Sequence, residues 1–220
     1  MIELERRGHV HVLHLHGGEN RFRPELLDAL EAALDRVEKT DGPAALVTVG
    51  EGKFYSNGLD LEWLGSAGAE AVAPYLARVH RLFARVLAFP RITVAALNGH
   101  AFAGGAMLAL AHDLRVMRAD RGFFCLPEVD LRLPLQPGMM ALVRARLRAQ
   151  TTHEAITTGR RYGGAAAVER GIVDEAVAED QVLPRAISLA QELADKDPAT
   201  LAALKRGLYD DALCVLRGES

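Results

Sequence analysis

Apolar residues along this chain recur with two periods, and the switches between them mark its elements. Residues 9–16, HVHVLHLH, alternate with period two, which predicts a strand. Over 23–40, RPELLDALEAALDRVEKT, the spacing becomes helical, with Pro24 near the start and Gly42-Pro43 beyond the end. The β-branched run 44–50, AALVTVG, predicts a buried strand, and 51–61, EGKFYSNGLDL, has the chemistry of a loop. A helix is expected over 74–88, stopped before Pro90, then a strand at ITVAAL, a helix at GGAMLALAH and a strand at DLRVM. Periodicity is lost through 121–138, RGFFCLPEVDLRLPLQPG. Helical patterns then return in MMALVRARLRA, AAAVERG, LPRAISLAQELADK and PATLAALKRGLYDDALCVL. Strands alternating with helices to about residue 120, then helices alone, predict an α/β fold with largely parallel pairing and a helical tail.

Composition narrows the function. A chain of 220 residues with net charge -3 is long enough for a real core and has no excess of basic charge, so nucleic acid is not an expected partner. The longest mostly apolar run, 93–111, is broken by Asn98, Gly99, His100 and Gly104-Gly105, which fits a buried strand, turn and helix better than a membrane span. The start, MIELERRGHV, has no apolar leader, and Cys125 and Cys214 lack metal or disulfide spacing; a reducing cytoplasm is the expected location. Four histidines crowd one strand, but His9 and His11 face opposite His14 and His16. An exposed or edge strand is therefore expected there, and no metal site.

Two glycine turns carry the candidate chemistry. NGHAFAGGAML, 98–108, places small residues at the N-terminus of a predicted helix, where backbone N–H groups lack intrahelical partners. Such a turn serves either tight helix–strand packing or the stabilisation of an oxygen that becomes negative during reaction. KFYSNGLDL also follows a buried strand, so two such units on neighbouring strands would bring two amides to one oxygen.

FYSNGLDL, then NGHAFAGGAMLALAHDLRV, then FFCLPEVDLRL, and finally TGRRYGGAAAVERGIVDEAV resemble the crotonase (enoyl-CoA hydratase/isomerase) superfamily over nearly the whole chain. The resemblance is strongest to its plant peroxisomal-type Δ3,Δ2-enoyl-CoA isomerases. It implies a spiral of ββα units over residues 1–150 holding an acyl-CoA site, and a helical region over 151–220 for trimerisation and covering the CoA. It also implies a homotrimer or dimer of trimers, and no cofactor beyond the CoA that the substrate carries. The two amides fall on Leu59 and Gly104. Phe54, Ser56, Gly58, Asp60 and Leu61 would line the nucleotide end of CoA, with Lys205 either meeting a CoA phosphate or standing solvated at the surface.

Hydratases of this family hold water between two glutamates. One position is Met107 here, which cannot activate water and is expected to contact the substrate instead; the other is Glu128 of LPEV, whose carboxylate would be raised in pKa by apolar surroundings from Phe123, Phe124, Leu126 and Val129. Asp60, which more simply caps its loop, and Asp130 are weaker candidates for the base. One base without a water-holding partner implies isomerisation: Glu128 moves a proton from C2 to C4 of a 3-enoyl-CoA. The rivals are hydration, another reaction of the superfamily such as thioester hydrolysis, and a non-catalytic acyl-CoA-binding scaffold. Ala103 stands where many members have a third glycine, and DLRLPLQPGMMAL lacks their glycine-rich run.

Overall fold

A computed structural model describes residues 2–219. The chain runs through β1 (Ile2–Arg7), β2 (Val10–Leu15), α1 (Pro24–Glu38), β3 (Ala45–Gly50), β4 (Phe54–Ser56), α2 (Leu61–Ser66), α3 (Ala69–Leu87), β5 (Ile92–Leu97), β6 (His100–Phe102), α4 (Gly104–Ala111) and β7 (Leu114–Arg118). It continues through β8 (Phe124–Cys125), α5 (Glu128–Leu131), α6 (Pro137–Arg146), α7 (Ala149–Thr158), α8 (Gly164–Glu169), β9 (Glu175–Val177), α9 (Val182–Leu193), α10 (Pro198–Leu208) and α11 (Asp210–Arg217).

The strands form two sheets, a six-stranded one in the order β1-β2-β3-β5-β7-β9 and a three-stranded one in the order β4-β6-β8. Only β1 and β2 pair antiparallel; the remaining pairs are parallel. A long strand, a turn, a short strand and a helix therefore repeat three times, each turn of the spiral adding one strand to each sheet. This is the ββα spiral expected of the superfamily.

Both faces of the large sheet are covered, which explains why its central strands read as continuous apolar runs. On one face Val12, Val47, Val94 and Val116 meet Ala186 and Ala190 of α9. On the other, Leu13, Leu46, Ala95 and Met117 join the main core with α1, α3, α4 and α6. Two turns between the sheets and α4 are thereby pressed into the centre of the molecule.

The histidine strand differs from its expected place. β2 lies between β1 and β3, so it is not an edge, and it is largely buried. The charged opening IELERR supplies the missing neighbour, since Ile2 and Leu4 pack against the core. The parity argument stands in the geometry: His11 lies beside Thr40, whereas His14 and His16 stack at 5.7 Å on the opposite face, near Glu5. Among the described residues no group of His, Cys, Asp and Glu is placed to hold a metal ion. Helix α3 begins at Ala69 and runs through Pro74, and the last predicted helix divides at Tyr209 into α10 and α11. Among the described residues no helix is long and apolar enough to cross a membrane.

Candidate active site

The turn after β4 and the start of α4 touch backbone to backbone. Gly58 has φ +77°, and a Cβ there would stand 2.5 Å from the Gly104 nitrogen. A Cβ on Gly105 would stand 2.2 Å from the Ser56 carbonyl oxygen. Glycine is required at both positions because main chain occupies the space of any side chain.

The first turn is pinned from several sides. Ser56 Oγ donates to the Asn20 carbonyl at 2.7 Å and accepts from the Gly58 N–H at 3.2 Å. The Gly58 carbonyl accepts from the Phe22 N–H at 2.7 Å. Asp60 caps α2 by accepting from the Trp63 N–H at 3.1 Å, and its other oxygen accepts from Arg23 Nε at 2.5 Å. Burial works to raise this carboxyl, but Arg23 and the Trp63 N–H outweigh it and hold it below the usual range. Asp60 is therefore a brace, and Leu59 is delivered into the cleft by a rigid loop.

Gly104 is the first residue of α4, so its N–H has no intrahelical acceptor. Among the described residues neither the Leu59 N–H nor the Gly104 N–H donates to a protein acceptor. Both residues line a cleft of about 490 Å³, and Glu128 lines the same cleft. Among the described residues lining it, Glu128 is the one carboxyl. It opens α5, and its Oε2 is buried without a hydrogen-bond partner. Burial pushes this carboxyl up to about 7, against a smaller opposing effect of its own backbone N–H.

The apolar surroundings come from elsewhere than expected. Phe124 and Leu126 are sunk in the core and Phe123 and Val129 are exposed. Leu61, Leu64, Leu76, Leu131, Leu135 and Met139 form the walls instead, with Arg21 and Arg161 among the lining cations. These leucines come from α2, α3, α5 and the segment before α6, and only the folded spiral gathers them.

Of the residues expected at the site, Leu59, Leu61, Gly104 and Glu128 line the cleft, and Phe54, Ser56, Gly58, Asp60, Met107 and Lys205 do not. Phe54 packs on His100 at 5.4 Å, while Ser56 and Gly58 shape the turn from behind. Met107 is fully buried in the core because every residue of α4 is buried, so its thioether is structural. Lys205 corrects both readings offered for it, CoA contact and solvated surface residue. Its ammonium is buried and donates to the carbonyls of Phe89 and Arg91 at 2.9 and 3.0 Å and to Asp113 at 2.6 Å.

Comparison with known proteins gives the family and the fold. The family signature for enoyl-CoA hydratase/isomerase matches residues 5–215. The chain belongs to that family. Among curated members it is 37% identical to the peroxisomal enoyl-CoA delta isomerase 2 of Arabidopsis thaliana, over 99% of this chain and 95% of the relative. It is 38% identical to enoyl-CoA delta isomerase 3 of the same plant, over 97% of this chain and 94% of the relative. Among solved structures, an apo enoyl-CoA isomerase of Mtb superposes with a TM-score of 0.91 at 28% identity, covering 99% of this chain and 94% of that one. In this member of the enoyl-CoA hydratase/isomerase family, the turns at Gly58 and at Gly104-Gly105 are in backbone contact.

Proposed function

We propose that this family member is a Δ3,Δ2-enoyl-CoA isomerase, with Glu128 as its single proton carrier and the N–H groups of Leu59 and Gly104 as the donors to the thioester oxygen. One observation carries the reading. The cleft is lined by Leu59 and Gly104, whose N–H groups have no protein acceptor among the described residues, and by a single carboxyl with an oxygen buried and unpartnered and a pKa lifted to about 7. Where the resemblance places a second, water-holding acid, this chain has the buried Met107.

The reaction follows from those parts. A 3-enoyl-CoA lays its acyl chain along the leucine walls and its thioester oxygen against the two amides. The Glu128 carboxylate takes a proton from C2, and the electrons spread over C2 to C4 and the thioester oxygen as a dienolate. The two donors stabilise that oxygen as it becomes negative; loss of one such donor raises a barrier by about 3 kcal/mol. The Glu128 carboxyl then returns the proton to C4, leaving the double bond between C2 and C3. No proton or electron is gained or lost overall, and the scheme uses no metal, nicotinamide or flavin. A carboxyl titrating near neutrality is suited to both halves of the transfer. The recess lined by Asn20, Arg21 and Arg23 together with Glu19, Glu25 and Asp60, which shares Arg21 with the cleft, is the place proposed for the nucleotide end of CoA. The proposed assembly is a homotrimer or a dimer of trimers, and the proposed location, from the two free cysteines, is the cytoplasm.

Offering the protein 3-hexenoyl-CoA and 2-hexenoyl-CoA in separate assays tests the reading. Conversion of the first to the conjugated product, without water addition to the second, is the expected result. Hydration of the second substrate as the main reaction, or tight binding of both without turnover, would overturn it.

A further inference from the structure

A chain of buried hydroxyl and imidazole groups joins the two elements that present the amides, and the site described above makes no use of it. Thr48 lies in β3, Tyr55 in β4, and His112 directly follows α4; all three are buried, Tyr55 and His112 completely. Thr48 Oγ1 is 2.8 Å from the Tyr55 hydroxyl and 3.0 Å from His112 Nε2. His112 Nδ1 is 2.8 Å from the Leu108 carbonyl oxygen.

Donor and acceptor capacity fixes the direction of every link. A carbonyl only accepts, so His112 Nδ1 carries the proton. In a neutral imidazole Nε2 is then an acceptor, so the Thr48 hydroxyl donates to it. Thr48 Oγ1 in turn accepts from the Tyr55 hydroxyl. Burial keeps the imidazole neutral, pushing its pKa down to about 3, and pushes the Tyr55 phenol far above neutrality, so it remains a donor. The helix end is built around this arrangement. The His112 N–H bonds the Ala109 carbonyl at 3.2 Å, and the imidazole replaces it at Leu108. Arg146 donates to the Leu110, His112 and Asp113 carbonyls at 2.8, 2.7 and 2.9 Å.

Tyr55 lies four residues before Leu59, and Leu108 lies one turn inside the helix that Gly104 opens. We infer that Tyr55, Thr48, His112 and the Leu108 carbonyl form a strut that holds α4 in register with the turn after β4, and so sets the separation of the Leu59 and Gly104 N–H groups. Thr48 and His112 are positioning residues, remote from the substrate. Their part in turnover rests on the isomerase reading above; their effect on the two amides does not.

Thr48→Val keeps the shape and removes the central hydroxyl. The expected result is a shift of the Leu59 and Gly104 amide NMR signals together, with kcat lowered roughly ten- to a hundredfold and KM within about twofold. Thr48→Ser, which keeps the hydroxyl, is expected to stay close to the parent in all three. Should Thr48→Val not fold, Tyr55→Phe removes one terminal hydroxyl and is judged by the same readouts. A folded variant with a lower Tm but unmoved signals at both amides and unchanged kcat would overturn the strut, leaving these residues as ordinary core. If the parent protein turns over no enoyl-CoA, the isomerase reading falls, and the two amide signals still decide the strut.

Discussion

Glu128 owes its proposed role to what it lacks. Among the described residues its buried Oε2 has no hydrogen-bond partner, and desolvation is the largest influence on its pKa. With a folded pKa of about 7 against 4.5 when free, the native state binds the extra proton, and stability contributed by this group falls as pH rises from about 4.5 through 7. Turnover moves the opposite way, because the base must be ionised: kcat/KM is expected to climb through an apparent pKa near 7, measured against 3-hexenoyl-CoA. Ala103 shows the converse, a residue in a conformation meant for another. At φ +49° it occupies the left-handed side of the backbone map just before Gly104, where glycine is unstrained. Ala103→Gly is expected to raise stability by about 1 kcal/mol, read as a higher midpoint in urea.

The two turns act as one element, and their tolerance for substitution is correspondingly small. Gly58→Ala would drive a methyl to 2.5 Å from the Gly104 nitrogen, blocking the N–H that is meant to receive the thioester. The expected outcome is a folded or partly destabilised protein whose kcat falls by roughly a hundredfold or more, assayed beside Leu61→Ala, which should alter KM chiefly. The sequence showed two glycine turns after buried strands, which left close packing and an amide site both open; the resemblance assigned the amides to Leu59 and Gly104. The contact between the turns follows from parallel strands carrying equivalent turns. The cleft walls were not legible. Leu64, Leu76 and Met139 belong to amphipathic helices whose core-facing and cleft-facing residues have the same composition. Only the tertiary arrangement separates them. The same blindness put Glu128's apolar setting on its sequence neighbours, half of which point to solvent.

At the scale of the whole molecule, polar residues buried behind the site tie the spiral together, and they were the least legible of all. The resemblance offered Lys205 a CoA phosphate, and its charge offered it a solvated place at the surface. In the fold it reaches from α10 to the carbonyls after α3 and to Asp113 after α4, uniting three segments. Removing one member of a buried pair strands the other charge, so Lys205→Met is expected to cost about 3–5 kcal/mol in chemical denaturation. KM for acyl-CoA should stay within about twofold, whereas a rise of tenfold or more would restore the CoA contact to Lys205. The strand order was half visible: the alternation of strands and helices foretold largely parallel pairing, the resemblance implied the spiral, and charge in IELERR hid β1 and misplaced β2 at an edge. A strand's own residues record which side chains are buried, but not which strands lie beside it.

The central claim is that one desolvated carboxyl carries the proton for an enolate held by main chain. Comparing kcat/KM for 3-hexenoyl-CoA between the parent protein and Glu128→Gln tests it most directly. The amide keeps the shape and abolishes the base, so the account predicts a loss of at least about a hundredfold, with binding of saturated hexanoyl-CoA unchanged. Activity within a few-fold of the parent would contradict it.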